Sequence, residues 1–208
     1  MESFLPLFPL NLVAFPHESL NLHVFEPRYK QLIKDALDTK SSFGIPSFIH
    51  KKIEYGTEVE IIKVKKIYED GRLDIMTRGK RIFRVIKFIN PLPDKLYAGG
   101  NIIYQENKGV EDFQTKLLMA KWVKELYTSL KLREHVIPET INSFEIGHKI
   151  GLSVEEEYEL MKIDNEYERQ RFIINHLKKA VPIVKEIERT KKRIKMNGHF
   201  KYLDPLIY

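Results

Sequence analysis

Apolar and polar residues follow two different periods along this chain, one in each half. In the first half, short apolar runs such as residues 4–8 and 20–25 are separated by turn-prone, proline-containing segments. Short alternating runs of this kind are typical of β-strands. In the second half, apolar residues recur at spacings of three and four, which is typical of amphipathic helices. The change of period near residue 108 predicts an α+β fold with strands first and helices afterwards.

The longest predicted β-element is a hairpin over residues 57–89. Its turn at residues 69–72 contains Asp-Gly, a strong short-range hairpin signal. Apolar residues of the second strand share one parity and can bury one face: Leu73, Ile75, Phe83 and Val85. The parity of the first strand changes between Ile61 and Ile62, which predicts a β-bulge there.

Further glycines and one helix complete the predicted barrel. Gly79 predicts a sharp bend in the second hairpin strand, and a last strand is expected at about residues 95–105. A helix is predicted over residues 27–38, because Pro27 suits a first helical position. One face of that helix is apolar: Tyr29, Leu32, Ile33, Ala36 and Leu37. About six short strands around one helix predict a closed or nearly closed barrel.

Helices dominate the second half. They are expected at residues 111–131 and 139–150, followed by a third helix that Ser153 caps together with Glu156. The last helix is predicted from about residue 165 to 195. Its apolar seam alternates steps of four and three: Ile173, Leu177, Ala180, Val184 and Ile187.

Three segments carry a resemblance to a known family. They are FLPLFPLNLVAFPHESLNLHVFEPRYKQLIKDAL, GTEVEIIKVKKIYEDGRLDIMTRGKRIFRV and IGHKIGLSVEEEYELMKIDNEYERQRFIINHL. Together they resemble the Lon substrate-binding domain, the N-terminal domain of Lon-type ATP-dependent proteases. The resemblance implies a PUA-like β-barrel followed by a C-terminal α-helical bundle with a long last helix. Residues 1–108 would form the barrel subdomain and residues 109–208 the helical subdomain of one domain.

The resemblance implies polypeptide recognition and no catalysis. In Lon-type proteases this domain handles substrate, so unfolded or extended polypeptides are the expected partners. A protease or a chaperone is a further candidate partner, in protein quality control. The chain has no GxxxxGK[ST] phosphate-binding loop; Gly79-Lys80 is followed by Arg81. It also lacks the length for a Lon protease domain with its serine-lysine dyad. We therefore expect neither ATPase nor peptidase activity.

The segment Glu26-Pro27-Arg28-Tyr29 allows two interpretations. In the structural one, Glu26 caps the helix or faces its positive end, and Tyr29 packs into the barrel. In the functional one, Glu26 and Arg28 line a peptide groove at the barrel mouth. The predicted peptide-binding site consists of Phe25, Glu26, Arg28, Tyr29 and Arg78.

Charge raises RNA binding as the alternative function. The net charge is +6, with cations concentrated in residues 178–195 and acidic side chains in 154–168. PUA-like barrels include RNA-binding modules, and Tyr68 and Tyr202 lie near cations in sequence. However, the cations cluster on the last helix, and no platform for base stacking is evident. We therefore place RNA second to polypeptide.

Composition excludes several other classes. There are no cysteines, so no disulfide and no thiolate site, and no apolar run reaches the length of a membrane span. The seven histidines form no HExxH pair, so neither a metal site nor a cofactor is expected. These features favour a cytoplasmic protein.

Overall fold

The computed structural model describes residues 2–49, 51–109, 112–132 and 141–199. The strands are β1 Glu2–Leu7, β2 Ser19–Val24, β3 Phe43–Ile49, β4 Lys52–Ile67, β5 Leu73–Ile89 and β6 Ala98–Tyr104. The helices are α1 Pro27–Thr39, α2 Phe113–Ser129, α3 Ser143–Gly147, α4 Val154–Lys162 and α5 Glu166–His199. The expected order of strands before helices, with a long last helix, is confirmed. The predicted starts of the helices at 111 and 139 lie outside the described residues.

The chain forms two compact units that divide it differently from the expected halves. The first contains Met1–Lys108 and Gly151–Asn165, and the second contains Gly109–Ile150 and Glu166–Tyr208. Helix α4 thus belongs with the strands. Its Tyr158 makes an edge-to-face contact with Tyr55 of β4, with ring centroids 6.4 Å apart.

The six strands form one sheet that closes on itself. The strand order is β2-β5-β4-β3-β1-β6, and β6 also pairs with β5. The pairings β5–β4–β3–β1–β6–β5 therefore make a closed ring, and β2 adds to β5 outside that ring. Closure leaves the ring strands few unpaired edges. Sequence periodicity did not locate β3, because nearly all of its residues are buried and do not alternate.

Strand β5 has a different partner on each half of one edge. Its residues 73–78 pair with β2, and its residues 83–89 pair with β6, while β4 follows the opposite edge. Between the two halves, the Gly79 N–H donates to the Glu18 carbonyl at 2.9 Å. A Cβ on Gly79 would lie 2.1 Å from the Phe15 carbonyl oxygen. The glycine is required because the 15–18 segment crosses against the backbone here.

The other β-irregularities follow the sequence pattern. The register of β4 against β5 shifts between Ile61 and Lys63, which confirms the predicted bulge. The hairpin turn places Gly71 at φ +77°, a conformation that glycine adopts without steric cost.

Helix α1 is buried in the core of the first unit. Four of its residues pack there: Tyr29, Leu32, Ile33 and Ala36. They meet apolar side chains of β2, β3, β4 and β5, including the fully buried Phe43, Ile45 and Ile75. Leu37, expected on the same face, is instead 41% exposed at the end of the helix.

In the second unit, α5 packs along α2. The predicted seam is buried at Ile173 and Leu177, but Ile187 is 49% exposed. The reason is length: α5 has 34 residues and α2 has 17. Lys131, just after α2, pairs with Glu188 at 2.8 Å, so α5 continues beyond its partner helix. No described helix is long and apolar enough to cross a membrane.

Both N-terminal caps of the shorter helices are made by capping boxes. The predicted Ser153 and Glu156 pair is confirmed before α4, and Asn142 with Glu145 does the same for α3. The first turn of α3 is also tied to α5. The buried Glu166 carboxylate accepts from the Ser143 N–H at 2.9 Å and hydroxyl at 2.7 Å.

We expect Arg169→Ala to destabilise the second unit strongly. Arg169 is 4% exposed and its Nη2 lies 2.9 Å from Glu166 Oε2. Its removal leaves a buried carboxylate without its cation, which costs about 3–5 kcal/mol. Urea unfolding would measure the loss.

Arg171→Ala is the matched control. Arg171 makes the same i,i+3 pair with Glu168 on the same helix, but at 3.5 Å and with 54% side-chain exposure. An exposed pair contributes about 0–1 kcal/mol. Equal losses for the two variants would contradict the assignment of Arg169 as a structural charge.

Asp35 predicts a pH dependence of stability. Its Oδ2 accepts hydrogen bonds from Lys95 at 2.6 Å and from the Tyr97 hydroxyl at 2.7 Å, which lower the pKa of Asp35. A lowered folded-state pKa stabilises the fold above the unfolded value of about 3.9, and the gain is lost as pH falls through the folded pKa. Asp35→Asn should therefore lower Tm at pH 7, with a gap to wild type that shrinks below about pH 4.

The exposed Asp38 on the same helix supplies the control. Asp38→Asn should leave Tm nearly unchanged both at pH 7 and below about pH 4. A gap between Asp35→Asn and wild type that widens in acid would contradict the role assigned to Asp35.

Candidate functional site

The predicted site residues at the start of α1 pair mainly with one another. Glu26 precedes the helix in extended conformation, but its side chain caps no backbone N–H. It accepts instead from Arg28, whose Nε and Nη2 lie 2.9 and 2.8 Å from Glu26 Oε2. The expected side-chain cap is therefore wrong, whereas the other form of that interpretation, a carboxylate at the positive end of the helix, stays a prediction. Both members of the pair are partly exposed, at 44% for Arg28 and 38% for Glu26.

Tyr29 lies in the core and not at a binding surface. Its ring stacks on Phe8 with centroids 3.7 Å apart, and the residue is 6% exposed. Burial raises the pKa of its hydroxyl. Tyr29 thus packs into the core, as the structural interpretation expects, and offers little surface to a ligand.

Phe25 is the exposed aromatic of the group, at 58%. Its ring faces the imidazole of His23, with centroids 6.1 Å apart. His23 Nδ1 lies 2.6 Å from Asp74 Oδ1, and the Tyr68 hydroxyl donates to Asp74 Oδ2 at 2.7 Å. These two hydrogen bonds lower the pKa of Asp74. The carboxylate fixes the imidazole, and the imidazole supports Phe25.

Arg78 lies at the other end of the same sheet surface. It pairs across the strands with Ser19, whereas Leu73 pairs with Val24, the residue before Phe25. Five residues of β-strand span about 17 Å. Arg78 and Phe25 therefore do not form one cluster, and a ligand touching both must be extended.

This surface, which we call the β2 face, is the solvent side of β2, β5 and β4. Directly paired residues in neighbouring strands project to the same side of a sheet. The register gives three rows on this side: His23–Asp74–Lys66, Asn21–Met76–Lys63 and Ser19–Arg78–Glu60. The opposite side carries Leu22 and Ile75, which are buried in the core.

Strand β2 has one free edge. It pairs with β5 alone, and within the described residues no strand pairs with its other side. The backbone groups on such an edge can pair with an added strand. The β2 face therefore joins an open strand edge to an exposed aromatic side chain.

A groove opens on the other half of β5. It has a volume of about 260 Å³ and is formed entirely by the first unit. Its apolar and aromatic lining comes from three strands: Tyr55, Ile86, Ile103 and Tyr104. The register of β5 against β6 shifts between Val85 and Lys87, so Ile86 sits in a bulge.

The polar lining of the groove comes from β5, the residue after β6, the last residue of α4 and the segment that follows α4: Arg84, Gln105, Lys162 and Asp164. Lys162 Nζ lies 2.5 Å from Glu159 Oε1, and Asp164 lies 3.5 Å from Lys108 Nζ. The Gln105 side-chain nitrogen donates to the Lys162 carbonyl at 3.4 Å. Within the part of the chain that the structure describes, no group donates a hydrogen bond to its Oε1.

Sequence periodicity did not reveal this groove. Its residues come from four segments that are distant along the chain, around residues 55, 84, 104 and 163. None of them forms a motif by itself. Among the described residues, no three His, Asp or Glu side chains come together to hold a metal ion.

Comparison with known families gives a match over most of the chain. The model of the ATP-dependent protease La (LON) substrate-binding domain matches residues 4–179. A LON peptidase N-terminal domain and RING finger protein of Schizosaccharomyces pombe is 35% identical over 107 residues. That match covers 42% of this chain and 22% of the yeast protein. The chain thus spans about a fifth of that relative.

Solved structures show the same fold. A Lon N-terminal domain protein from Xanthomonas campestris is 27% identical, with a TM-score of 0.64 over 83% of this chain and 98% of that one. The N-terminal domain of a Mycobacterium avium complex Lon protease has a TM-score of 0.65 at 15% identity, covering 85% of this chain and 98% of its own. The second likeness supports the fold alone.

We expect Tyr29→Ala and Phe25→Ala to differ in stability, because Tyr29 lies in the core and Phe25 lies on the surface. Tyr29→Ala should destabilise the protein by about 3–5 kcal/mol, as large-to-small changes of buried aromatics do. Phe25→Ala should change stability by less than about 1 kcal/mol, since the ring is mostly in water. Thermal or urea unfolding of both variants would measure this. A comparable loss in Phe25→Ala would show that Phe25 is structural.

Proposed function

This chain belongs to the Lon substrate-binding domain family, and on that premise we propose that it is a non-catalytic module that recognises unfolded or extended polypeptides. The proposal concerns recognition alone. Cleavage or refolding of the bound chain would fall to a separate protease or chaperone. We also infer a place in cytoplasmic protein quality control, in line with a chain that contains no cysteine.

One observation carries the proposal beyond family membership: the free edge of β2 lies beside the exposed Phe25. An extended peptide can add to such an edge as another strand. Its main chain then supplies hydrogen bonds that do not depend on sequence. Recognition of many different unfolded chains needs this independence.

The dimensions of the β2 face suit an extended ligand. A six-residue strand spans about 20 Å, which is the length of β2 from Ser19 to Val24. Phe25 with His23 would offer an apolar contact near one end. Arg78 would face the ligand near the other end, and Arg28 would lie beside Phe25.

The arginines are expected to contribute less than the aromatic contact. Arg78 is exposed, and Arg28 already forms an ion pair with Glu26. Exposed, screened charge pairs contribute about 0–1 kcal/mol each. Replacing Arg28 and Arg78 together should therefore weaken binding only a few-fold, and Phe25 should carry more of the affinity.

RNA remains the second candidate, and the surroundings of Tyr68 disfavour it. The ring of Tyr68 lies 4.3 Å from Lys66 Nζ and 5.0 Å from Arg72 Cζ, so the protein's own cations occupy its surroundings. A base would have to displace them to stack. Tyr202, the other tyrosine near cations in sequence, lies outside the described residues.

We expect Phe25→Ala to weaken binding of fluorescein-labelled, reduced and carboxymethylated α-lactalbumin by about 1–2 kcal/mol. Full burial of such a side chain is worth roughly 1.5–3 kcal/mol, and 58% of Phe25 is available for burial. Fluorescence anisotropy would measure the affinity. Phe48→Ala, which removes a 44% exposed phenylalanine from β3, is the control and should leave binding unchanged.

A peptide with N-methyl groups on alternate residues provides a second arm. Strand addition needs peptide N–H groups, so methylation should abolish binding that the unmethylated peptide shows. Equal binding of both peptides would contradict strand addition. Salt-sensitive binding of oligouridine without binding of the unfolded protein would place RNA first.

A further inference from the structure

We propose that the groove formed by Tyr55, Arg84, Ile86, Ile103 and Tyr104 is a second binding site, which takes a bulky apolar side chain and an adjacent acidic residue of an extended polypeptide. The inference rests on the proposed function, because it names the sequence that such a polypeptide would present. It adds a selective site to the sequence-independent pairing expected at the free β2 edge.

The apolar part of the groove has the size of one or two side chains. Pockets for drug-sized ligands occupy about 300–1,000 Å³, and this groove has about 260 Å³. Ile86 and Ile103 are 44% and 39% exposed, although both belong to well-paired strands. The bulge at Ile86 redirects a side chain, as bulges beside binding sites do.

Two tyrosines that line the groove are held in place before any ligand arrives. Arg81 Cζ lies 3.6 Å from the centroid of the Tyr104 ring. Arg81 is itself anchored by the buried Glu58, with Nη2 2.9 Å from Oε2. On β4, the ring of Tyr55 contacts the ring of Tyr158 of α4. Fixed walls reduce the entropy cost of binding.

The charge of the groove favours an acidic ligand residue next to the bound apolar side chain. Asp164 is offset by Lys108, and Lys162 by Glu159. Arg84 has no acidic partner among the residues that the structure describes. Its register neighbours are Tyr55 on β4 and Ile103 on β6, so the Arg84 side chain leaves the sheet between an aromatic and an aliphatic residue. A ligand carboxylate next to the bound apolar side chain can accept two parallel hydrogen bonds from the Arg84 guanidinium.

The polypeptide nature of the ligand follows from a second unpaired group. Gln105 Oε1 is buried, and among the described residues it has no hydrogen-bond partner. It is an acceptor, whereas Arg84 is only a donor. A peptide main chain carries an N–H donor beside each carbonyl acceptor. An extended segment carries both an acceptor for Arg84 and a donor of the kind that Gln105 Oε1 lacks, whereas a simple hydrocarbon or an anion does not.

The test uses the full chain and four fluorescein-labelled octapeptide amides. The parent is Gly-Ser-Gly-Leu-Glu-Gly-Ser-Gly; the others replace Leu by Ser, Glu by Gln, or Glu by Lys. We expect the parent to bind up to about fivefold more tightly than the Gln peptide, the range of a solvent-screened ion pair. The Lys peptide should bind more weakly still. The Ser peptide should lose most of the affinity.

Charge reversal distinguishes recognition from a structural role. With Arg84→Glu, the order of the Glu and Lys peptides should invert. Lys87→Glu makes the same change three residues along β5, outside the groove lining, and should keep the wild-type order. Circular dichroism of both variants would establish that each is folded. Ile103→Ser should weaken the Leu peptides and leave the Ser peptide unchanged.

The outcomes separate this proposal from the proposed function. If unfolded α-lactalbumin binds but the peptides show no Leu-Glu preference, or Arg84→Glu does not invert it, the groove is not a selective site and the proposed function stands. If neither unfolded protein nor peptide binds, both fail. If the peptide order holds and inverts while Phe25→Ala has no effect, the groove stands and the β2 face is excluded.

Discussion

The fold of the first unit depends on the two partners that strand β5 takes along one edge. Pairing with β6 closes the barrel, and pairing with β2 extends the sheet outside it. Two strands cannot occupy the same edge at the same residues, so β5 must be long, and it has 17 residues. The exchange of partners takes place at Gly79, where the Phe15 carbonyl leaves no room for a Cβ. A hairpin with a shorter second strand would close the barrel or hold β2, but not both.

The same constraint places the two candidate surfaces. Residues 73–78 of β5, with β2, form the β2 face and its free edge. Residues 83–89, with β6, form a wall of the groove and carry Arg84 and Ile86. Both surfaces are therefore supported by one continuous strand within one compact unit. Helix α1 and the apolar side of the sheet stabilise this strand from its core side. The solvent side of the strand is therefore available for contact with a ligand.

Local patterns predicted the elements well and the surfaces poorly. The Asp-Gly turn, the bulge near Ile61 and the Ser153 cap depend on a few consecutive residues, and each was found from sequence. Tyr29 was harder, because an aromatic at the start of a helix suits a core or a binding site equally well; only its contact with Phe8 decides. The separation of Phe25 from Arg78 depends on strand register. The groove depends on barrel closure and on α4 joining the strands, neither of which leaves a periodic signal.

If the proposed function holds, recognition by two shallow surfaces would let modest contacts suffice. Each exposed charge or ring contributes little, because water competes for it and salt screens it. Arg78 and Arg84 are six residues apart on β5, about 20 Å along an ideal strand. A single unfolded chain bound at the β2 edge would therefore keep its neighbouring residues close to the groove at high effective concentration. A compactly folded protein presents fewer long extended segments than an unfolded chain, so under the proposed function this arrangement would favour unfolded chains without a tight pocket for any one sequence.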